Sequence, residues 1–222
     1  VDEDYDDRVY LNWLVCDMGQ PHGVLPALPV QHQQNEGLPS TLAVPDLFKV
    51  AGTTFLRSTA AAVPPGTTAY MEARLRVDAF SAAGTELMGL GNDAYVIVNS
   101  NGSVTLTGTG SSAAAAPAGT LAAGVFRTLG FLVDRTPVAG GGSPKFQIID
   151  VAAGGAVLAL NTTVASGAFS SSRVNFFFRG GSGNQPFNGT FGYARIWQNR
   201  ADGSGTPAYA VEAAPAAPHY AV

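Results

Sequence analysis

Cysteine, charge and histidine are the scarce commodities of this 222-residue chain. Cys16 is the only cysteine, so no intrachain disulfide can form, and the count leans towards a reducing compartment. Charged residues make up 13%, about half the typical ~25%. The five acids Asp2, Glu3, Asp4, Asp6 and Asp7, against Arg8, concentrate the whole net charge of −4 in the first eight residues and leave 11 acids against 11 bases beyond them. Such a body offers no basic field to phosphates, which excludes nucleic acid as an expected partner. The acidic start reads as a solvated tail or as a segment that docks on a basic surface. No apolar run approaches the ~20 residues of a membrane span. The chain as written shows no basic segment leading into an apolar one, so the expectation is a protein without a secretory signal and without membrane contact.

What is present instead is glycine (27), proline (14) and long stretches of Ala, Ser and Thr in a chain that is 46% hydrophobic. That mixture excludes a helical bundle and disorder throughout, and it favours short strands joined by turns around one sizeable core. In residues 1–47, Pro21, Pro26, Pro29, Pro39 and Pro45 recur too often for a helix or a central strand. This is expected to be an extended arm whose apolar patch, including Tyr10, Leu11, Trp13 and Leu14, packs either as a first strand on the domain's own sheet or against a partner. A second extended arm is expected over 207–222, ending on Tyr220, Ala221 and Val222.

Between the arms the pattern is that of β segments. Strands are expected over 48–56, 70–80, 86–90, 95–99, 104–107, 126–134, 145–151, 156–160, 174–179 and 190–198. In the second of these Tyr70, Glu72, Arg74, Arg76 and Asp78 alternate with Met71, Ala73, Leu75, Val77 and Ala79, the signature of a half-buried strand. Turns at Gly91-Asn92-Asp93 and Asn99–Gly102 join short hairpins. Ten or so short antiparallel strands with turns at even spacing predict an all-β sandwich or barrel over 48–206.

The segment Phe187-Asn-Gly-Thr-Phe-Gly-Tyr-Ala-Arg-Ile-Trp-Gln-Asn-Arg200 resembles the closing strand of the concanavalin A-like lectin and glucanase superfamily in its laminin G-like branch. Leu121-Ala-Ala-Gly-Val-Phe126 leading into Gly130–Asp134, and the strand from Tyr70 to Val77, fit the same pattern. The resemblance spans roughly residues 48–200 and implies a jelly-roll sandwich of two antiparallel sheets, whose concave face or rim loops hold carbohydrate in many members, in some with calcium. The superfamily also includes virion decoration proteins.

Glycoside hydrolysis in such a fold requires two carboxylates a few ångströms apart, but no Glu-x-Asp-x-x-Glu occurs. Glu72 and Asp78 share a strand face about 20 Å apart at ~3.3 Å per residue and are expected to face solvent. His22, His32 and His219 lie in the arms, and no Gly-x-Ser-x-Gly elbow is present. These absences predict a protein that is not an enzyme and that uses no cofactor or metal. For binding, Asn92, Asp93 and Tyr95 on one hairpin and Asn184 on another loop combine oxygen-bearing side chains with aromatics, a combination suited to sugar.

Two functions follow as expectations. One is a structural role: a capsid decoration or cement protein of a bacteriophage virion, assembled in the host cytoplasm. It would bind the major capsid protein, and neighbouring copies of itself, through Tyr10, Leu11, Trp13, Leu14 and Tyr220. The other is a lectin-like carbohydrate-binding module, extracellular or at a virion surface, with a glycan at Asn92, Asp93, Tyr95 and Asn184. Trp197, in the closing strand, is expected to be buried and structural, with Arg195 packing its stem and hydrogen-bonding a strand-end carbonyl or carboxylate.

Overall fold

In this computed structural model the described residues are 66–170 and 188–213, together with five strand segments: 13–16, 40–44, 48–50, 55–58 and 174–176. They form fifteen strands. These are β1 (Trp13–Cys16), β2 (Ser40–Val44), β3 (Phe48–Val50), β4 (Phe55–Ser58), β5 (Thr68–Ala79), β6 (Thr85–Leu90), β7 (Ala94–Val98) and β8 (Val104–Thr107). They continue as β9 (Ala114–Ala115), β10 (Phe126–Asp134), β11 (Lys145–Asp150), β12 (Ala156–Asn161), β13 (Val174–Phe176), β14 (Asn188–Gln198) and β15 (Tyr209–Ala213). The only helical turn among the described residues is a single 3₁₀ turn at Val138–Gly140.

The strands make two sheets, a β-sandwich as the alternation predicts. One runs β1-β4-β13-β6-β7-β8-β9, and the other β12-β11-β10-β5-β14-β15-β2, with β3 also paired to β14. Every described pair is antiparallel except β2 with β15. β5 and β14 are central to the larger sheet and pair along nearly their whole length. Met71, Ala73, Leu75 and Val77 of β5, Phe131 and Val133 of β10 and Phe191, Ala194 and Ile196 of β14 point inward. They meet Leu87, Met88 and Leu90 of β6, Val96 of β7 and Leu106 of β8 from the facing sheet. Each such Val, Leu, Ile, Met or Phe side chain, fully buried, contributes roughly 1.5–3 kcal/mol, which is what holds the two layers together.

The turns follow the glycines. Gly91 (φ 55°) and Gly102 (φ 73°) adopt the left-handed backbone that the β6–β7 and β7–β8 connections require. The region expected to be one strand over 48–56 is instead two, β3 in the larger sheet and β4 in the smaller, so the chain crosses between layers where one continuous strand is predicted. Ala114 and Ala115, within a stretch rich in Gly, Ser and Ala, form the short β9 against β8.

Strands also occur within the stretches assigned to arms. β1 pairs with β4 at the edge of the smaller sheet, placing Trp13 opposite Ser58 and Leu14 opposite Arg57. β2 and β15 lie side by side at the edge of the larger one. Tyr10, Leu11 and Tyr220 lie outside the described residues.

Candidate functional site

The outer face of the larger sheet, the side turned away from the core, carries the densest group of polar and aromatic side chains. The two-residue period of β5 sends Tyr70, Glu72, Arg74, Arg76 and Asp78 to this side. A register irregularity between Phe191 and Tyr193 then sets Tyr193 opposite Arg74, Arg195 opposite Glu72 and Trp197 opposite Tyr70. On the other flank β10 aligns Phe126 with Arg76, Thr128 with Arg74, Gly130 with Glu72 and Leu132 with Tyr70. Gly130 leaves the space into which the Tyr70 ring leans, since a Cβ there would collide with the Tyr70 hydroxyl.

Glu72 is at the centre of this face and, contrary to expectation, does not face solvent: it is 9% exposed. Its Oε1 accepts a 2.5 Å hydrogen bond from the Tyr193 hydroxyl and its Oε2 a 3.2 Å bond from the Tyr70 hydroxyl. Outward alternation therefore does not mean exposure here, because the phenols of two strands fold over the carboxylate between them. Burial, followed by the hydrogen bond to Glu72 and its negative charge, pushes the Tyr193 phenol up to about 12. Burial, followed by the charge of Glu72, raises Tyr70 further still. Both phenols thus stay protonated and remain donors across the physiological range.

Trp197 closes the cluster on one side. It is buried, as expected, with its ring 5.7 Å from that of Tyr70 and its indole Nε1 donating to the Gly205 carbonyl at 2.9 Å. The β14–β15 connection thus returns over the sheet. At Gly203 a Cβ would come within 3.2 Å of the Tyr70 ring, so this backbone rests directly on the cluster. The Arg195 guanidinium lies 4.2 Å from the centre of the Tyr193 ring.

The other side is open. Arg74 is exposed, its stem crossing the space left by Gly192 and its guanidinium 4.9 Å from the centre of Phe126. Arg76 approaches the same ring at 5.4 Å while donating to Asp78 (2.8 Å) and Thr190 (3.1 Å). The result is a solvent-facing row of guanidinium and aromatic groups beside a buried, hydrogen-bonded carboxylate.

The residues singled out for glycan binding are arranged differently. Asn92 is exposed in the β6–β7 turn, and Tyr95 is half-buried two residues into β7. Asp93 between them turns inward and is 4% exposed. Its Oδ1 accepts from Arg135 Nη1 at 2.7 Å, and its Oδ2 from the Ser170 backbone N–H at 2.7 Å, with the Ser170 hydroxyl close to both oxygens. Arg135 also donates to the Ala165 carbonyl and faces the Phe169 ring. The Asp93 carboxylate is therefore occupied by protein donors and is withdrawn from the expected sugar site. Asn184 lies outside the described residues. The period-2 pattern hinted at Tyr70 and Glu72 as neighbours on one face, but only the β5–β14 register brings Tyr193 to them.

No group of three or more His, Cys, Asp or Glu side chains among the described residues is placed to hold a metal ion. No protein-family model matches the sequence, and no curated protein does. Among solved structures, a candidate carbohydrate-binding protein from Bacteroides ovatus is similar over 68% of this chain and 44% of its own, at 15% identity and a TM-score of 0.50. This chain therefore spans less than half the length of that protein. A native heptameric SAP-like pentraxin from Limulus polyphemus is similar over 69% of this chain and 73% of its own, at 13% identity and a TM-score of 0.45. An engineered GH43 glycoside hydrolase with endo-xylanase and exo-arabinofuranosidase activity matches 70% of this chain and 37% of its own, at 17% identity and a TM-score of 0.35. The likeness to the first is one of fold, that of a β-sandwich.

Proposed function

We propose that this protein is a non-catalytic carbohydrate-binding module whose ligand lies along the outer face of its larger sheet. The observation that carries the reading is the row formed by Tyr193, Arg195, Arg74, Arg76 and Phe126, in which Glu72 holds Tyr193 from below and Asp78 and Thr190 hold Arg76. Sugars bind where ring faces and fixed hydrogen-bond donors alternate, and a row anchored from below loses little entropy on binding. The structural likeness to a candidate carbohydrate-binding protein supports the same reading. The absence of catalysis is supported by the occupation of both Glu72 oxygens by phenols and by the pairing of Asp78 with Arg76. The capsid-decoration reading rests on Tyr10, Leu11, Trp13, Leu14 and Tyr220, and only Trp13 and Leu14 of these fall in described strands. The open row on the sheet face favours the glycan reading over it.

A glycan array probed with the purified protein, followed by calorimetry on the best binder, tests the proposal. Binding at micromolar to millimolar strength, weakened by Phe126→Ala, is the expected result. An empty array, or turnover of any glycan offered, would overturn it.

A further inference from the structure

We infer that the glycan taken on this face is acidic, carrying a carboxylate or sulfate group that Arg74 receives; the inference rests on the carbohydrate-binding reading. β5 sends Arg74 and Arg76 to this face together with two acids, Glu72 and Asp78, while the strand register sets Asp134 opposite Thr68 and Glu212 opposite Tyr193. Neither β5 acid meets Arg74. Glu72 lies beneath the two phenols, and Asp78 is paired with Arg76.

Among the described residues Arg74 has no ion-pair partner; its guanidinium lies against the Phe126 ring and its stem beside Gly192. A guanidinium that stacks on a ring does so with its face, which leaves its in-plane N–H groups turned to solvent. Those donors form a fork that fits a planar carboxylate or two oxygens of a sulfate. The Arg76 guanidinium lies within 5.4 Å of the same ring, so two cations share one aromatic. Their mutual repulsion is relieved on the Arg76 side by Asp78, and a bound anion would relieve it on the Arg74 side. A neutral sugar would leave that relief unrealised. The face is also an open sheet surface, a shape suited to one stretch of an extended polysaccharide.

The test compares polygalacturonate with its fully methyl-esterified form, which keeps the sugar backbone and removes the charge, and dextran sulfate with dextran. Affinities would be measured by calorimetry at low and high salt. The acidic member of at least one pair should bind about tenfold or more tightly than its neutral counterpart, and salt should weaken it. Whichever pair responds identifies the acid as carboxylate or sulfate. Arg74→Gln should lose about tenfold in affinity for that acidic polymer, and Arg74→Lys less, with melting temperatures unchanged since the side chain is exposed. Equal binding within both pairs, or an unaffected Arg74→Gln, overturns the acidic class while leaving a glycan-binding module in place. Equally tight binding of poly-glutamate overturns it as well, by showing a patch that takes any polyanion. If the protein binds neither these polymers nor any glycan on the array, the carbohydrate reading itself falls.

Discussion

Among the described residues four carboxylates are buried, Glu72, Glu86, Asp93 and Asp150, and two of them, Asp93 and Glu72, are held in opposite ways. Asp93 is at the rim, where Arg135 supplies a full positive charge and Ser170 a backbone N–H. Glu72 is in the middle of a sheet face, where both of its hydrogen bonds come from neutral phenols. The rim group ties together segments far apart in sequence. Asp93 follows β6, Arg135 follows β10, and Arg135 further holds Ala165 by its carbonyl, while Phe169 bonds Gly66 through its backbone. It is a knot, and its chemistry is fully used within the protein. The sheet group instead joins the adjacent strands β5 and β14 and lies under a surface that is still open. The first cluster spends its charge on the fold, and the second uses an acid to hold aromatic rings in position.

The largest effect that would separate them is at the rim. Asp93→Ala leaves the Arg135 guanidinium buried without its anion and should cost ~3–5 kcal/mol of stability in denaturant unfolding. Combining it with Arg135→Met should recover much of that loss. If the double variant is no more stable than Asp93→Ala alone, the pair is not the knot described here.

At the sheet, Tyr193→Phe removes one hydrogen bond to a carboxylate without creating an unpaired cation. It should cost less, ~1–3 kcal/mol by the same measurement. A cost equal to that of Asp93→Ala would erase the distinction between the two sites. Gly130→Ala, which forces the Tyr70 hydroxyl to move, should fall in a similar range of ~1–3 kcal/mol through overpacking.

The smallest effect is with pH. A phenol whose folded pKa is raised to about 12, against an ordinary value of ~10, binds its proton more tightly in the folded state. The stability it lends is complete below pH ~10 and is lost as the pH climbs from ~10 to about 12. Alkaline unfolding curves should therefore slope more gently for Tyr193→Phe than for the parent chain over that window. Identical slopes would mean that Tyr193 does not titrate as a buried donor.

The legibility of these features in the sequence follows the range of the forces that make them. β8 and β10 have the bounds that alternation assigns, 104–107 and 126–134, because hairpin turns and a period of two are local properties. The buried state of Trp197 was also legible, from its place on a central strand. Glu72 was not. Its position among Tyr70, Arg74, Arg76 and Asp78 reads as a wet face, and only pairing with a strand over a hundred residues away brings Tyr193 across it. Asp93 was misread for a related reason, since a turn of Gly, Asn and Asp explains itself locally and gives no sign of Arg135. The strands β2 and β15 were hidden by the proline and alanine texture around them, and a parallel pair between distant segments leaves no local mark.

That parallel pair has a mechanical meaning. Tension between the chain entering β2 at Ser40 and the chain leaving β15 at Ala213 would pull the two strands in opposite directions along their common axis. All five register pairs, from Tyr209 with Ser40 to Ala213 with Val44, would then bear load together. A hairpin pulled at its open end instead breaks one rung at a time. This edge of the sandwich is built as a shear joint, with the rest of the larger sheet behind it through β14.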